Sequence, residues 1–213
     1  MFPKTVRVGI LDYSIHFPYR FDDDECMGAT TINNIYISDT HKRKKISNTS
    51  IVNTFLHELF HAIDSFYLSS MLDDRIVTLL ANGWIDVLYN NDIHLDRINS
   101  VIVQMGNKFR VSIIDRDNIP LLSSIQKDAL VTVDVERLNL DIYKDNGADD
   151  KYLFSLMIVG IFMMINFNLF NGELTQISSD IDVKSILGKA FTQVLYDNPW
   201  ILRLSDVIRS DNL

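Results

Sequence analysis

Apolar and polar positions alternate along this chain in a pattern that predicts a definite set of elements. A run of strand character covers about residues 5–12, Thr5-Val-Arg-Val-Gly-Ile-Leu-Asp12, and a second about residues 31–38. Between about 49 and 67 the apolar residues Leu56, Leu59, Phe60 and Ile63 fall at helical spacing, and another helical pattern runs from about 73 to 90. Asp73-Asp74 stands at the start of that helix, where carboxylates cap exposed N–H groups and meet the positive end of the helix dipole. Asn91-Asp92 closes it. This is an α+β layout, a small and mainly antiparallel sheet covered on one side by helices.

The same order is written a second time. Val6–Asp12 reads against Phe109–Asp115, and Ile35-Tyr-Ile37 against Leu138-Asn-Leu140, both at an offset of 103. Arg75–Asn91 then reads against Asp182–Asn198 at an offset of 107, with five of seventeen positions identical. Four residues would have been gained in the loop around Asn171 to Asp180. Matches in one order predict an internal repeat, with a first unit at 1–102 and a second at 103–213. Asn198-Pro199 would close the last helix of the second unit as Asn91-Asp92 closes that of the first.

The chemistry sits in the first copy. His57-Glu58-Leu-Phe-His61 is an HExxH motif inside the 49–67 helix. Residues four apart share a helix face, so His57 and His61 can hold one metal ion, and zinc suits two imidazoles. Glu58 projects beside that ion, where it would take a proton from a water and pass it to a leaving group. The first offset puts Gly160, Ile161 and Met164 opposite His57, Glu58 and His61, and no histidine follows His94. The second copy therefore keeps the helix and lacks the ligands. That accounts for the apolar run at 152–170 as a core helix and not a membrane span, in keeping with Asn166 and Asn168 inside it.

Composition narrows the classes. The chain has 213 residues, 47% of them hydrophobic and 23% charged, and its formal net charge is −8. That charge argues against a nucleic-acid partner, which needs clustered Lys and Arg. The one basic run, His41-Lys-Arg-Lys-Lys45, reads as a solvated connection. Cys26 is alone, so a reducing compartment is expected, and the N-terminus lacks the layout of a signal peptide. Cytoplasmic placement is the expectation, with no membrane partner.

His57-Glu-Leu-Phe-His61-Ala-Ile-Asp64, followed by Asp74-x-x-Val77-x-x-Leu80-Ala81-Asn82-Gly83 and Val87-Leu88-Tyr89, resembles the minimal zincins of bacteriophage genomes. More distantly it is similar to the ImmA/IrrE-type metallopeptidases of mobile elements. The resemblance covers most of residues 28–92 and, in decayed form, 109–200. It implies two tandem zincin-like units, zinc as cofactor, and a third ligand on the helix after the HExxH helix. In the family that ligand is a glutamate. Here the matching position is Asp74, one methylene shorter, with Asp73 as the fallback. Asp64 is a candidate for orienting an imidazole or a plain surface residue. Tyr36, His16, His94 and Tyr89 are the candidates for stabilising a transition state. The resemblance further implies a peptide substrate added along the strand at Asn33–Ser38. The expected function is a zinc-dependent metallopeptidase of phage or mobile-element type, acting on a host or viral protein in the host cytoplasm. A second reading keeps the scaffold and drops the chemistry, giving a binding protein that inhibits or recruits a host factor.

Overall fold

The computed structural model describes the backbone of residues 2–90, 102–105, 107–115, 131–134, 139–144, 150–170 and 182–212. The fold is α+β. Its contacts separate two compact units, one formed by Met1–Tyr89 with Gln193–Leu213 and the other by Asn90–Thr192. This differs from the expected division at 102/103, because the last residues of the chain return to the first unit.

In the first unit, β1 (Thr5–Val8) turns at Gly9-Ile10 into β2 (Leu11–His16), where a single strand was expected. β3 (Gly28–Thr31) and β4 (Asn34–Ile37) follow as a second hairpin. The sheet order is β1-β2-β4-β3, with β2 and β4 parallel and both hairpins antiparallel. Two of the three pairings are antiparallel, in keeping with the mainly antiparallel sheet expected, and the central pair is parallel. Val6, Val8, Ile35 and Ile37 alternate with more exposed neighbours and are fully buried. They form the face that meets helix α1 (Asn48–Tyr67), which packs on β1, β3 and β4. Val52, Phe55, Leu56, Leu59, Phe60 and Ile63 line the buried side of α1, each with no exposed surface. Burying such a side chain contributes about 1.5–3 kcal/mol, so this stripe anchors the helix that carries the motif.

Ser47 caps α1, accepting from the Ser50 N–H at 3.1 Å. A second cap comes from far along the chain. The Asp211 carboxylate accepts from the Thr49 N–H at 2.6 Å and the Asn48 N–H at 3.1 Å. Partial burial pushes that carboxyl up, but these bonds outweigh it and hold it below the usual Asp range. Asn198 ties the same C-terminal segment to the sheet. Its side-chain amide accepts from the Arg7 N–H at 2.9 Å and donates to the Arg7 carbonyl at 2.8 Å, as a neighbouring strand would. Asn198 is buried, so Asn198→Ala should leave both Arg7 groups unpaired and lower stability by about 1–3 kcal/mol in chemical denaturation.

The basic run 41–45 forms a two-strand hairpin, β5 (Thr40–His41) and β6 (Lys44–Lys45). It faces the acidic run before β3, with Arg43 on Asp24 at 2.6 Å and Lys42 on Glu25 at 3.1 Å. Lys42 and Arg43 of the run are thus ion-paired locally, and Lys44 and Lys45 are exposed.

In the second unit, β7 (Ile102–Met105), β8 (Asn107–Asp115), β9 (Val131–Asp134) and β10 (Asn139–Lys144) form a sheet ordered β7-β8-β10-β9. Its central pair is parallel and its outer pairs are antiparallel, the same order and sense as in the first sheet. The register differs from the one read in sequence. Val6–Val8 lies in the edge strand β1, whereas Phe109–Val111 lies in β8, the counterpart of β2 by position in the sheet. β1 (TVRV) and β8 (NKFRVSIID) share a short Arg and Val run although they hold different places in their sheets, and with a side-chain period of two so short a match slides easily onto the wrong strand.

Helix α3 (Asp150–Phe170) packs on β7, β9 and β10. From Leu153 to Asn166 none of its residues is exposed, and Gly160, Ile161 and Met164 are all buried. The first part of α4 (Val183–Asp197) packs close beside α3. A Cβ on Gly188 would fall 2.8 Å from the Val159 Cα, so the glycine permits the approach. Among the described residues no helix is long and apolar enough to cross a membrane. Leu138, the loop at 171–180 and His94 lie outside the described residues.

Candidate metal centre

His57 and His61 face the same side of α1, with their Nε2 atoms 3.0 Å apart. Helix α2 (Asp74–Asn90) starts opposite them. The Asp74 Oδ1 lies 3.2 Å from the His57 Nε2 and 3.3 Å from that of His61. The three side chains form a cluster able to hold a metal ion. Ligand atoms on a tetrahedral ion at about 2.0–2.2 Å stand about 3.3–3.5 Å apart. The triangle found here has edges close to that, so the residues fit a single ion.

The shorter aspartate reaches because of where its helix begins. Asp73 uses its Oδ1 to cap α2, accepting from the Ile76 N–H at 2.8 Å, and this leaves Asp74 in the first turn aimed at the histidines. The Asp74 side chain lies on the cleft wall and is 80% exposed. Asp64 plays neither of its expected parts. Its buried carboxylate accepts from the backbone N–H groups of Met71 at 3.0 Å and Leu72 at 3.2 Å. It thereby holds the loop between α1 and α2, which includes Ser69 and Ser70 at positive φ, and that loop sets the position of Asp74. Burial pushes the Asp64 carboxyl up, against the pull of these two donors.

Glu58 is almost fully buried beside the ligands. Its Oε2 accepts from the Thr30 hydroxyl at 2.8 Å. Burial pushes the Glu58 carboxyl up, and the Thr30 bond works against that rise. A carboxyl so raised is tuned toward proton exchange nearer neutral pH. His57 is shifted down by burial, then by the neighbouring His61, which favours the neutral imidazole that binds metal. The Thr78 hydroxyl lies 3.4 Å from the His57 Nδ1, on the side away from the other ligands.

Two cavities meet at this centre. A cleft of about 750 Å³ runs past His57, Glu58, His61 and Asp74 along β3 and the β3–β4 turn. A smaller cavity of about 320 Å³ lies beside His57 and Glu58, walled by Cys26, Met27, Asn53, Thr54 and Thr78. Gly28 stands between them. A Cβ there would come within 2.5 Å of the Glu58 Oε1 and 2.6 Å of the Thr54 Cγ2. Gly28→Ala should therefore displace the Glu58 carboxylate while sparing the ligands. Metal content measured on the purified variant is expected to be unchanged, and any activity that depends on Glu58 to fall by about tenfold or more.

No family model matches the chain, and neither the curated proteins nor the solved structures provide a match.

Several expected residues lie elsewhere. Tyr36 stacks on His16 at 4.6 Å, and His16 meets the Asn34 Oδ1 at 3.0 Å; neither lines the cleft. Tyr89, at the end of α2, does not line it either. Among the described lining residues of the cleft the tyrosine is Tyr13, whose pKa burial raises. The strand at Asn33–Ser38 is β4, which lies inside the sheet, and the edge beside the cleft is β3. Thr30, Gly28 and Thr78 were not singled out in the sequence. Thr78 follows Asp74 by four residues, on the same helix face, and a glycine within a strand marks close approach of another element.

Proposed function

We propose that this chain is a zinc-dependent metallopeptidase-like protein of phage or mobile-element type, acting on a host or viral protein in the host cytoplasm. The observation that carries the reading is the buried Glu58 carboxylate beside a His57–His61–Asp74 triangle with edges of 3.0–3.3 Å. Two imidazoles with one carboxylate favour zinc over magnesium or calcium, which prefer all-oxygen sites. Zinc bound by these three would supply a Lewis acid that makes water acidic and polarises a carbonyl. Glu58, held by Thr30, then accepts the proton of the attacking water and returns it to the leaving amine. β3, the outer strand of its sheet among the described residues, lines the cleft and would offer backbone groups to an extended peptide.

The second unit is read as a zincin-like copy without chemistry. Its sheet has the same order as the first, and its α3 buries Gly160, Ile161 and Met164, the residues that the sequence offset of 103 sets opposite His57, Glu58 and His61. This also supports a second reading, a binding protein on a zincin scaffold that inhibits or recruits a host factor. One experiment separates the two. Zinc content and hydrolysis of a denatured protein mixture are measured for wild type and Glu58→Gln. Equal zinc with hydrolysis confined to the wild type supports the peptidase, and equal zinc with no hydrolysis by either supports the binder.

A further inference from the structure

Tyr13 combines deep burial with a hydrogen-bonding group that the fold leaves unused. It lies within β2, opposite Val6 of β1, and is 4% exposed. The strand registers fix the face on which it sits. Ile35 of β4 stands beside Ile15 of β2 and beside Thr30 of β3, so these three project from one face of the sheet, the face that meets α1. Tyr13 is two residues before Ile15 and therefore projects from that face as well. Tyr13 and Thr30 both line the cleft that holds His57, His61 and Asp74.

The Tyr13 hydroxyl has no hydrogen-bond partner among the described residues. A tyrosine so deeply buried ordinarily finds an acceptor within the protein. Its oxygen is not sealed inside the core either, so the small surface that Tyr13 keeps includes the hydroxyl. Burial alone raises its pKa, which leaves the group protonated and able to donate at neutral pH.

The other polar side chains of the cleft are engaged or exposed. The Thr30 hydroxyl lies against Glu58, the histidines and Asp74 form the metal triangle, and Asp64 accepts from Met71 and Leu72. Thr31, Asn33, Ser65 and Ser70 are exposed, and no Lys or Arg is among the described lining residues. A polypeptide entering the cleft brings carbonyl oxygens that lose water, and each needs a donor in its place. Tyr13 is the buried side chain that can supply one at a fixed position.

We propose that Tyr13 is a substrate-binding residue, its hydroxyl donating a hydrogen bond to one carbonyl oxygen of a polypeptide segment seated in the cleft. This rests on the reading of the cleft as a polypeptide site and adds the donor that sets which residue of the segment faces Glu58.

Tyr13→Phe removes the oxygen and keeps the ring. Because the hydroxyl has no protein partner, the full-length variant should match wild type in thermal midpoint and in zinc uptake. A clearly lower midpoint would overturn the inference, since the hydroxyl would then be a structural group. Binding is measured with zinc present, passing a randomised decapeptide library over full-length Glu58→Gln and over the same protein carrying Tyr13→Phe. Peptides retained by the first are remade with each carbonyl oxygen in turn replaced by sulfur, a weaker acceptor. Tyr13→Phe should bind the unmodified peptides about tenfold more weakly. At one position sulfur should cost the Tyr13 protein a similar factor and cost the Tyr13→Phe protein nothing. No such position, equal affinity of both proteins for every peptide, or no retention by the first would overturn the inference. The two readings fail separately. Retained peptides that wild type does not cut would end the peptidase reading and leave Tyr13 as a binding residue. Cutting by wild type with the same kinetics in Tyr13→Phe would keep the peptidase and overturn the donor.

Discussion

Glu58→Gln is expected to keep its metal and to lose about 10²–10⁴-fold in peptide hydrolysis. Glu58 is not one of the three ligand residues, so the amide leaves the His57–His61–Asp74 triangle intact. Gln has nearly the same shape and can still accept from the Thr30 hydroxyl, so the cavity should not collapse. What it cannot do is take up a proton. The same substitution carries a stability signature of opposite sign. Burial raises the Glu58 pKa, so the folded metal-free protein binds that proton more tightly than the unfolded chain does. The contribution of the group is fully present below its unfolded pKa and is lost as pH rises through the raised folded value. Metal-free Glu58→Gln should therefore melt above wild type at pH 7 to 8, and the difference should close toward pH 4. Thermal melts in a chelator across that range would check it. A variant that melts below wild type at every pH would show that the carboxylate is satisfied in some other way.

The second large effect is linkage between metal and fold. A ligand that binds only the folded state stabilises it by about 2.7 kcal/mol when present at a hundred times its dissociation constant. Zinc added to the wild type should raise the melting temperature by several degrees, and a chelator should reverse it. His61→Ala should abolish that response, because the Nε2 of His61 lies within 3.3 Å of both other ligand atoms. Asp74→Ala should weaken it and leave the two imidazoles as a poorer site. Calorimetric titration of zinc into each variant gives the comparison directly. A zinc response unchanged in His61→Ala would remove the triangle as the binding site.

Much of the first unit was legible because its signals are local. The apolar spacing of Leu56, Leu59, Phe60 and Ile63 and the histidines four apart specify both a helix and the face that carries the ligands, since 3.6-residue periodicity links the two. The strands were less legible. Val6–Asp12 reads as one strand, yet Gly9 at positive φ turns the chain, and Gly28–Thr31 has too little apolar character to announce an edge strand. Strand neighbours are set by long-range pairing, which no short window contains. For that reason the sequence points to Asn33–Ser38 as the edge, whereas the edge in the structure is β3.

Periodicity and side-chain chemistry are properties of neighbouring residues, and they specify an α+β chain with an HExxH helix in its first half and an apolar helix in its second. Tertiary structure decided the rest. The Asp73 cap freed Asp74 to face the histidines, and the Asp64 carboxylate held the loop that positions it. Thr30 was brought from β3 onto Glu58, and Asn198 and Asp211 returned from the chain's end to the first unit. Each of these is a hydrogen bond between groups that fold into reach of one another, and most join residues far apart in the chain. Which buried carboxylate finds which donor follows from packing the elements together.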